Sequence, residues 1–109
     1  MNEPVPEVDV TGLARALEAG APLVDVRTED EYVGGHVPGA LLVPLHELGE
    51  RHTELSTEEE VYVICAVGGR SAAAVGALNR AGYRTVNVAG GTAAWMEAGL
   101  PVVEGPAAR

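Results

Sequence analysis

One cysteine occurs among the 109 residues, and it stands in the run Cys65-Ala66-Val67-Gly68-Gly69-Arg70-Ser71. The apolar run Val61-Tyr62-Val63-Ile64 leads into it and an alanine-rich stretch beginning at Ser71 leads away. This pattern predicts a strand, a tight glycine-bearing loop and a helix, with the thiol on the last residue of the strand. A thiol aimed at a helix N-terminus meets unpaired backbone N–H groups and the positive end of the helix dipole. Both favour the thiolate, which is the nucleophile, and such surroundings bring cysteine pKa values from about 8.5 to between about 3.5 and 7.5. The strand alone fits a buried structural cysteine, since free cysteine is among the most buried residue types. The residues after it do not. Gly68 and Gly69 permit positive φ and a close backbone approach to a ligand. Successive N–H groups in such a turn form an anion-binding nest, and Arg70 adds a permanent cation. Together these residue types support thiol chemistry on a small anionic group.

Helix and strand signals alternate along the rest of the chain. Residues 6–10 start a short strand, and Thr11 N-caps a helix whose apolar positions are Leu13, Ala14, Ala16 and Leu17, closed by Gly20. Residues 23–26 form a compact strand. Thr28-Glu29-Asp30-Glu31 has the capping-box pattern, which predicts a short helix from 29 to about 33, stopped by Gly34-Gly35. Residues 40–43 give a third core strand, and Pro44 opens a short helix through residue 48. A strand at 61–65, a helix at 71–81, a strand at 85–88, the turn Gly90-Gly91 and a helix at 92–98 complete the pattern.

Short strands alternating with helices imply an α/β fold: a five-stranded, mainly parallel sheet with helices on both faces. Ligands of such sheets bind outside the carboxyl ends of the strands. Cys65 lies at one such end, and Asp25 and Arg27 flank another. Arg27 is either an exposed loop arginine or a second cation for an anionic substrate. Asp25 is a supporting residue that pins Arg70 or a loop amide, or caps the following segment. A single domain is expected over residues 6–103, with loose termini at 1–5 and 104–109.

Composition narrows the classes. Apolar residues make up 47% and charged residues 21%, the balance of an ordinary globular chain rather than a disordered one. The net charge of −9 comes from seven arginines against sixteen acids, with no lysine, and argues against nucleic acid or anionic membranes as partners. It does not exclude an anionic substrate, because charges beyond about 8 Å are largely screened at physiological salt. The acidic run 54–60 reads as a solvated face. No apolar stretch approaches the roughly 20 residues of a membrane helix. A lone cysteine without a secretory leader fits a reducing compartment, and a cytoplasmic location is expected.

Four fragments, taken in order, carry a resemblance. They are Asp25-Val26-Arg27 followed by Glu31-Tyr32, then Gly35-His36-Val37-Pro38-Gly39-Ala40, then Cys65-x-x-Gly68-x-Arg70-Ser71. The last is Ala89-Gly90-Gly91-x-x-Ala94-Trp95, leading to Gly99-Leu100-Pro101-Val102. In this order and spacing, from about residue 8 to 103, the chain resembles a single-domain rhodanese. The resemblance implies the rhodanese-like three-layer fold and transfer of a sulfane sulfur through a persulfide on Cys65. Ala66, Val67, Gly68, Gly69, Arg70 and Ser71 would then bind the substrate, with Arg27 as a further contact. N–H groups of residues 67–71 would hold the charge of the terminal persulfide sulfur. The expected donor is thiosulfate or a persulfide-bearing thiol, the acceptor a thiol, cyanide or a protein thiol, and the kinetics ping-pong. No metal or organic cofactor is implied. Many relatives active on thiosulfate carry a basic residue directly after the cysteine. Here that position is Ala66, which puts efficient use of thiosulfate in question.

Two other readings compete. Cysteine phosphatases and arsenate reductases also set a cysteine and an arginine around an oxyanion, but with five residues between them. Cys65 and Arg70 have four between them, a smaller ring suited to one sulfur. Non-catalytic rhodanese-like interaction modules usually lack the cysteine, which is present here. His36, His46 and His52 show no paired metal-ligand spacing. His36 reads as a hydrogen-bonded turn residue, Trp95 as core packing with a partnered indole N–H, and Gly90-Gly91 as a strand-to-helix turn.

Overall fold

Residues 4–109 are described by a computed structural model. All residues of its three central strands are buried, as a parallel sheet covered on both faces requires. The strands are β1 (Glu7–Val8), β2 (Leu23–Asp25), β3 (Leu41–Leu42), β4 (Val61–Ile64) and β5 (Thr85–Val88). They form one sheet in the order β1-β5-β4-β2-β3, and every neighbouring pair is parallel. The helices are α1 (Val10–Glu18), α2 (Glu29–Val33), α3 (Leu48–Arg51), α4 (Gly69–Arg80) and α5 (Gly91–Glu97).

Strand alternation sorts the core into two layers. Val61, Val63 and Cys65 join Val24, Val26, Ala74, Val75 and Leu78 on the side of α3 and α4. Tyr62 and Ile64 join Leu13, Tyr32, Val86, Val88 and Trp95 on the side of α1, α2 and α5. Sheet and helices thus form the expected three layers. The capping box of α2 is present in full: Thr28 Oγ1 accepts from the Glu31 N–H, and Glu31 accepts from the Thr28 N–H.

Several boundaries differ from expectation for physical reasons. The N-cap of α1 is Asp9 rather than Thr11, with its carboxylate accepting from the Gly12 N–H at 2.8 Å. Asp ranks above Thr at this position, and α1 starts accordingly at Val10. The segment after Pro44 runs on past residue 48, as a 3-10 turn, α3 and a second 3-10 turn ending at Glu54. Arg51 ties this run together by bonding Glu47 at 3.1 Å and Glu54 at 2.8 Å, so Glu54 is paired rather than merely solvated.

The termini are less free than expected. Residues 1–3 lie outside the described residues, and Val5 packs against the α4-side core. The C-terminal segment docks instead of trailing: the Gly105 N–H donates to Val33 O, and the Gly39 N–H donates to Ala108 O, both at 2.8 Å. The buried His36 ring sits among these bonds, stacked on Tyr32 and bonded to Tyr32 O and Ala107 O. It is a hydrogen-bonded turn residue. Among the described residues no helix is long and apolar enough to cross a membrane.

Candidate active site

Cys65 follows β4 directly, and its sulfur takes the place of an N-cap for α4. Gly68, the residue before α4, has φ +106° and no capping side chain. A residue with a Cβ rarely adopts that conformation, so glycine is what folds the loop back under the sulfur. Sγ accepts from the Gly68 N–H at 3.1 Å and the Ser71 N–H at 3.3 Å, and Ser71 Oγ lies 3.2 Å away. The N–H groups of Gly69 and Arg70 belong to the first turn of α4 and have no carbonyl within the helix to bond. α4 begins two residues earlier than expected because Gly68 is its N-cap and Gly69 and Arg70 open its first turn, rather than forming a loop ahead of it.

Cys65 is 1% exposed. Burial pushes its thiol pKa up, but the Ser71 hydroxyl and the N–H groups of Ser71, Gly68 and Val67 outweigh that and hold it below the ordinary thiol value. The other face of the residue is equally fixed. Cys65 O accepts from the Thr92 N–H at 2.9 Å and from Thr92 Oγ1 at 3.1 Å, while Ala66 O accepts from the Ala93 N–H at 3.0 Å. The start of α5 therefore clamps the floor of the cysteine loop. A Cβ on Gly91 would lie 2.5 Å from Cys65 O, so the Gly90-Gly91 turn does more than join a strand to a helix.

Neither arginine is a free cation. Arg70 is held by Glu31 of α2 through both carboxylate oxygens, at 2.8 and 2.9 Å. The Arg70 hydrogen bond pulls the Glu31 pKa from an ordinary 4.5 to about 2, so the pair is fully ionised at neutral pH. Arg27, expected as a second cation for the substrate or as an exposed loop residue, is instead buried against Asp25. Its Nε and Nη2 donate to the Asp25 carboxylate at 2.8 to 3.1 Å, and Nη2 also donates to Gly35 O at 2.9 Å. Asp25 does hold a loop amide, accepting from the Arg27 N–H at 3.0 Å, but it pins Arg27 and not Arg70. Ala66 and Val67 sit at the rim, Val67 70% exposed.

Three residues at the site were not among the candidate site residues read from the sequence. Glu31 was visible as a capping residue and as part of a family fragment, but not as the partner of Arg70. Asn87 and Glu7 extend the site behind Ser71: Ser71 Oγ bonds Asn87 Oδ1, and Asn87 Nδ2 donates to Glu7 at 2.9 Å. A polar residue at a buried strand position between Val86 and Val88 was the available clue to Asn87. His36, His46 and His52 stay apart, and no group of three or more metal-ligating side chains forms among the described residues. Trp95 is core, its Nε1–H donating to Pro101 O at 2.8 Å.

The loop, its helix and its clamp lie within residues 9–98, which match the rhodanese-like domain family. The chain belongs to that family. A sulfurtransferase from Allochromatium vinosum is 37% identical over 91% of this chain and 95% of its own length. A rhodanese-related protein from Thermoplasma volcanium has a solved structure with a TM-score of 0.85 at 36% identity, covering 90% of this chain and 97% of that one. The rhodanese-like domain also spans about half of some relatives, such as 51% of the putative sulfur carrier protein YrkF of Bacillus subtilis, to which it is 33% identical. The chain is thus of the rhodanese-type sulfurtransferase family, with a parallel five-stranded α/β fold.

Proposed function

We propose that this rhodanese-like domain is a sulfurtransferase working in a reducing, cytoplasmic setting, with Cys65 cycling between thiolate and persulfide. The observation that carries this reading is the placement of one thiol against the N–H groups of Gly68 and Ser71 at the start of α4. In the first half-reaction the thiolate attacks the outer sulfur of a donor. The new Sγ–S bond forms as the donor's S–S bond breaks, and sulfite or a thiolate leaves with the electron pair. The negative charge then resides on the terminal sulfur, facing the N–H groups of residues 67–71. In the second half-reaction cyanide or a thiolate attacks that sulfur and restores the Cys65 thiolate.

The donor favoured by this site is a persulfide-bearing thiol rather than thiosulfate. Thiosulfate carries two negative charges, and both arginines near the loop are already paired with carboxylates. Val67 and Ala66 offer it no charge, whereas an apolar rim suits the carbon body of a thiol. A protein thiol is proposed as a natural acceptor.

Intact mass measurement after anaerobic incubation with thiosulfate, and separately with glutathione persulfide, tests both levels. A gain of one sulfur, removed by cyanide as thiocyanate and absent from Cys65→Ser, is the expected result. Faster loading from glutathione persulfide supports the donor preference. No loading from either donor by folded, reduced protein sinks the catalytic reading in favour of a binding module.

A further inference from the structure

Ser71 has one hydroxyl proton and two neighbours that compete for it. Its Oγ lies 3.2 Å from Cys65 Sγ and is hydrogen-bonded to Asn87 Oδ1. The orientation of the Asn87 amide is set by its other side. Nδ2 faces Glu7 Oε2 at 2.9 Å and Gly68 O at 3.2 Å, and a carboxylate and a carbonyl can only accept. A flipped amide would place its oxygen against both, so Oδ1 must face Ser71. Oδ1 cannot donate. The bond between Ser71 and Asn87 therefore exists only when the Ser71 proton points at Asn87.

The geometry points to Asn87, backed by Glu7, as a positioning residue that competes with Cys65 for the Ser71 proton. In the thiol form the proton rests on Asn87, and Ser71 Oγ accepts from the Cys65 S–H. In the thiolate form Sγ needs donors, and Ser71 serves it only by breaking its bond to Asn87. The cost of that break falls on the thiolate alone.

The consequence for turnover rests on the sulfur-transfer reading above; the consequence for the thiol's titration does not. In the persulfide the charge has moved from Sγ to the terminal sulfur, so Ser71 can return to Asn87. Asn87 thereby favours the loaded state over the free thiolate. It also keeps the thiolate basic, and the nucleophilicity of a thiolate rises with its basicity. The charged groups around Cys65 are Arg70 of α4, its partner Glu31 of α2, the Asp25–Arg27 pair after β2, and Glu7 of β1 behind Asn87. None of them donates to or accepts from Ser71 Oγ.

The test is a titration of Cys65 by thiolate ultraviolet absorbance, which has a single source because the chain has one cysteine. Asn87→Ala is expected to lower the midpoint by up to about one pH unit, a tenfold change in the thiolate-to-thiol ratio. Ser71→Ala is expected to raise it, and the double variant to match Ser71→Ala. A midpoint that stays or rises in Asn87→Ala overturns the proposal, as does a downward shift that survives in the Ser71→Ala background. Should Asn87→Ala fail to fold, the S–H stretch of the wild-type thiol decides. A frequency lowered by donation to Ser71, and restored in Ser71→Ala, supports the competition; a free-thiol frequency in the wild type overturns it. Failure of sulfur loading would end the transfer reading and leave these titrations standing.

Discussion

Glu31 holds two posts at once, capping α2 through Thr28 and binding Arg70 through both oxygens. Its pKa of about 2 sets the sign of a stability effect. The unfolded chain takes up this proton first, so the stabilisation is complete above pH 4.5 and drains away as pH falls toward 2. Both partners are about a third exposed, which limits the pair to no more than about 1 kcal/mol. Denaturant unfolding of wild type and Glu31→Gln across that range should show the difference shrinking with acid. The same variant releases Arg70 as a free cation. It is expected to lower KM for thiosulfate several-fold while changing that for a persulfide of glutathione less, and equal changes would refute the charge argument. Placement was legible where type and neighbours sufficed: Cys65, its glycines and Ser71 stand in one contiguous run, and the fold wraps that run around the sulfur. Arg27 and Arg70 look alike in sequence, and only the fold shows that each is neutralised by a carboxylate. Asn87 lies sixteen residues beyond the Ser71 hydroxyl it bonds, a separation no local pattern spans.

α4 and α5 meet the cysteine loop from opposite sides, one offering N–H groups to the sulfur and the other to the carbonyls of Cys65 and Ala66. Gly91 permits the second contact, with φ +59° and no room for a Cβ. Gly91→Ala is expected to cost about 3 kcal/mol, combining the left-handed backbone penalty with overpacking, read as a fall in the denaturant midpoint. Because the strain is relieved by pushing α5 off the loop, the folded fraction should also load sulfur more slowly. A midpoint within error of wild type would show that the loop yields without cost. Elements were read correctly where the signals were local, as in the α2 capping box and β5. They were misjudged where cap-competent residues compete, as Asp9 and Thr11 do, or where ion pairs extend a short helix, as Arg51 does with Glu47 and Glu54.

At the level of the whole molecule, a net charge of −9 sets up a field that repels small anions at low ionic strength. Raising ionic strength from about 0.01 M to 0.15 M shortens the screening length from about 30 Å to about 8 Å. The kcat/KM for thiosulfate is therefore expected to rise several-fold over that range, and that for cysteamine persulfide, whose cationic amine balances its anionic terminal sulfur, to change little. Stopped-flow loading rates for the two donors check this, and parallel responses would remove the long-range field as the cause. The sheet order β1-β5-β4-β2-β3 has one more consequence, in the time order of synthesis. β1 finds its partner only in β5, and the Cys65 carbonyl finds its donors only in α5, both made after the cysteine. A nascent chain that has reached β4 thus carries the thiol as an ordinary one. The sulfur's own N–H donors follow at once in α4, whereas the floor of its loop is clamped only when the last strand slots between the first and the fourth and brings α5 with it, so the cradle is made early and locked late.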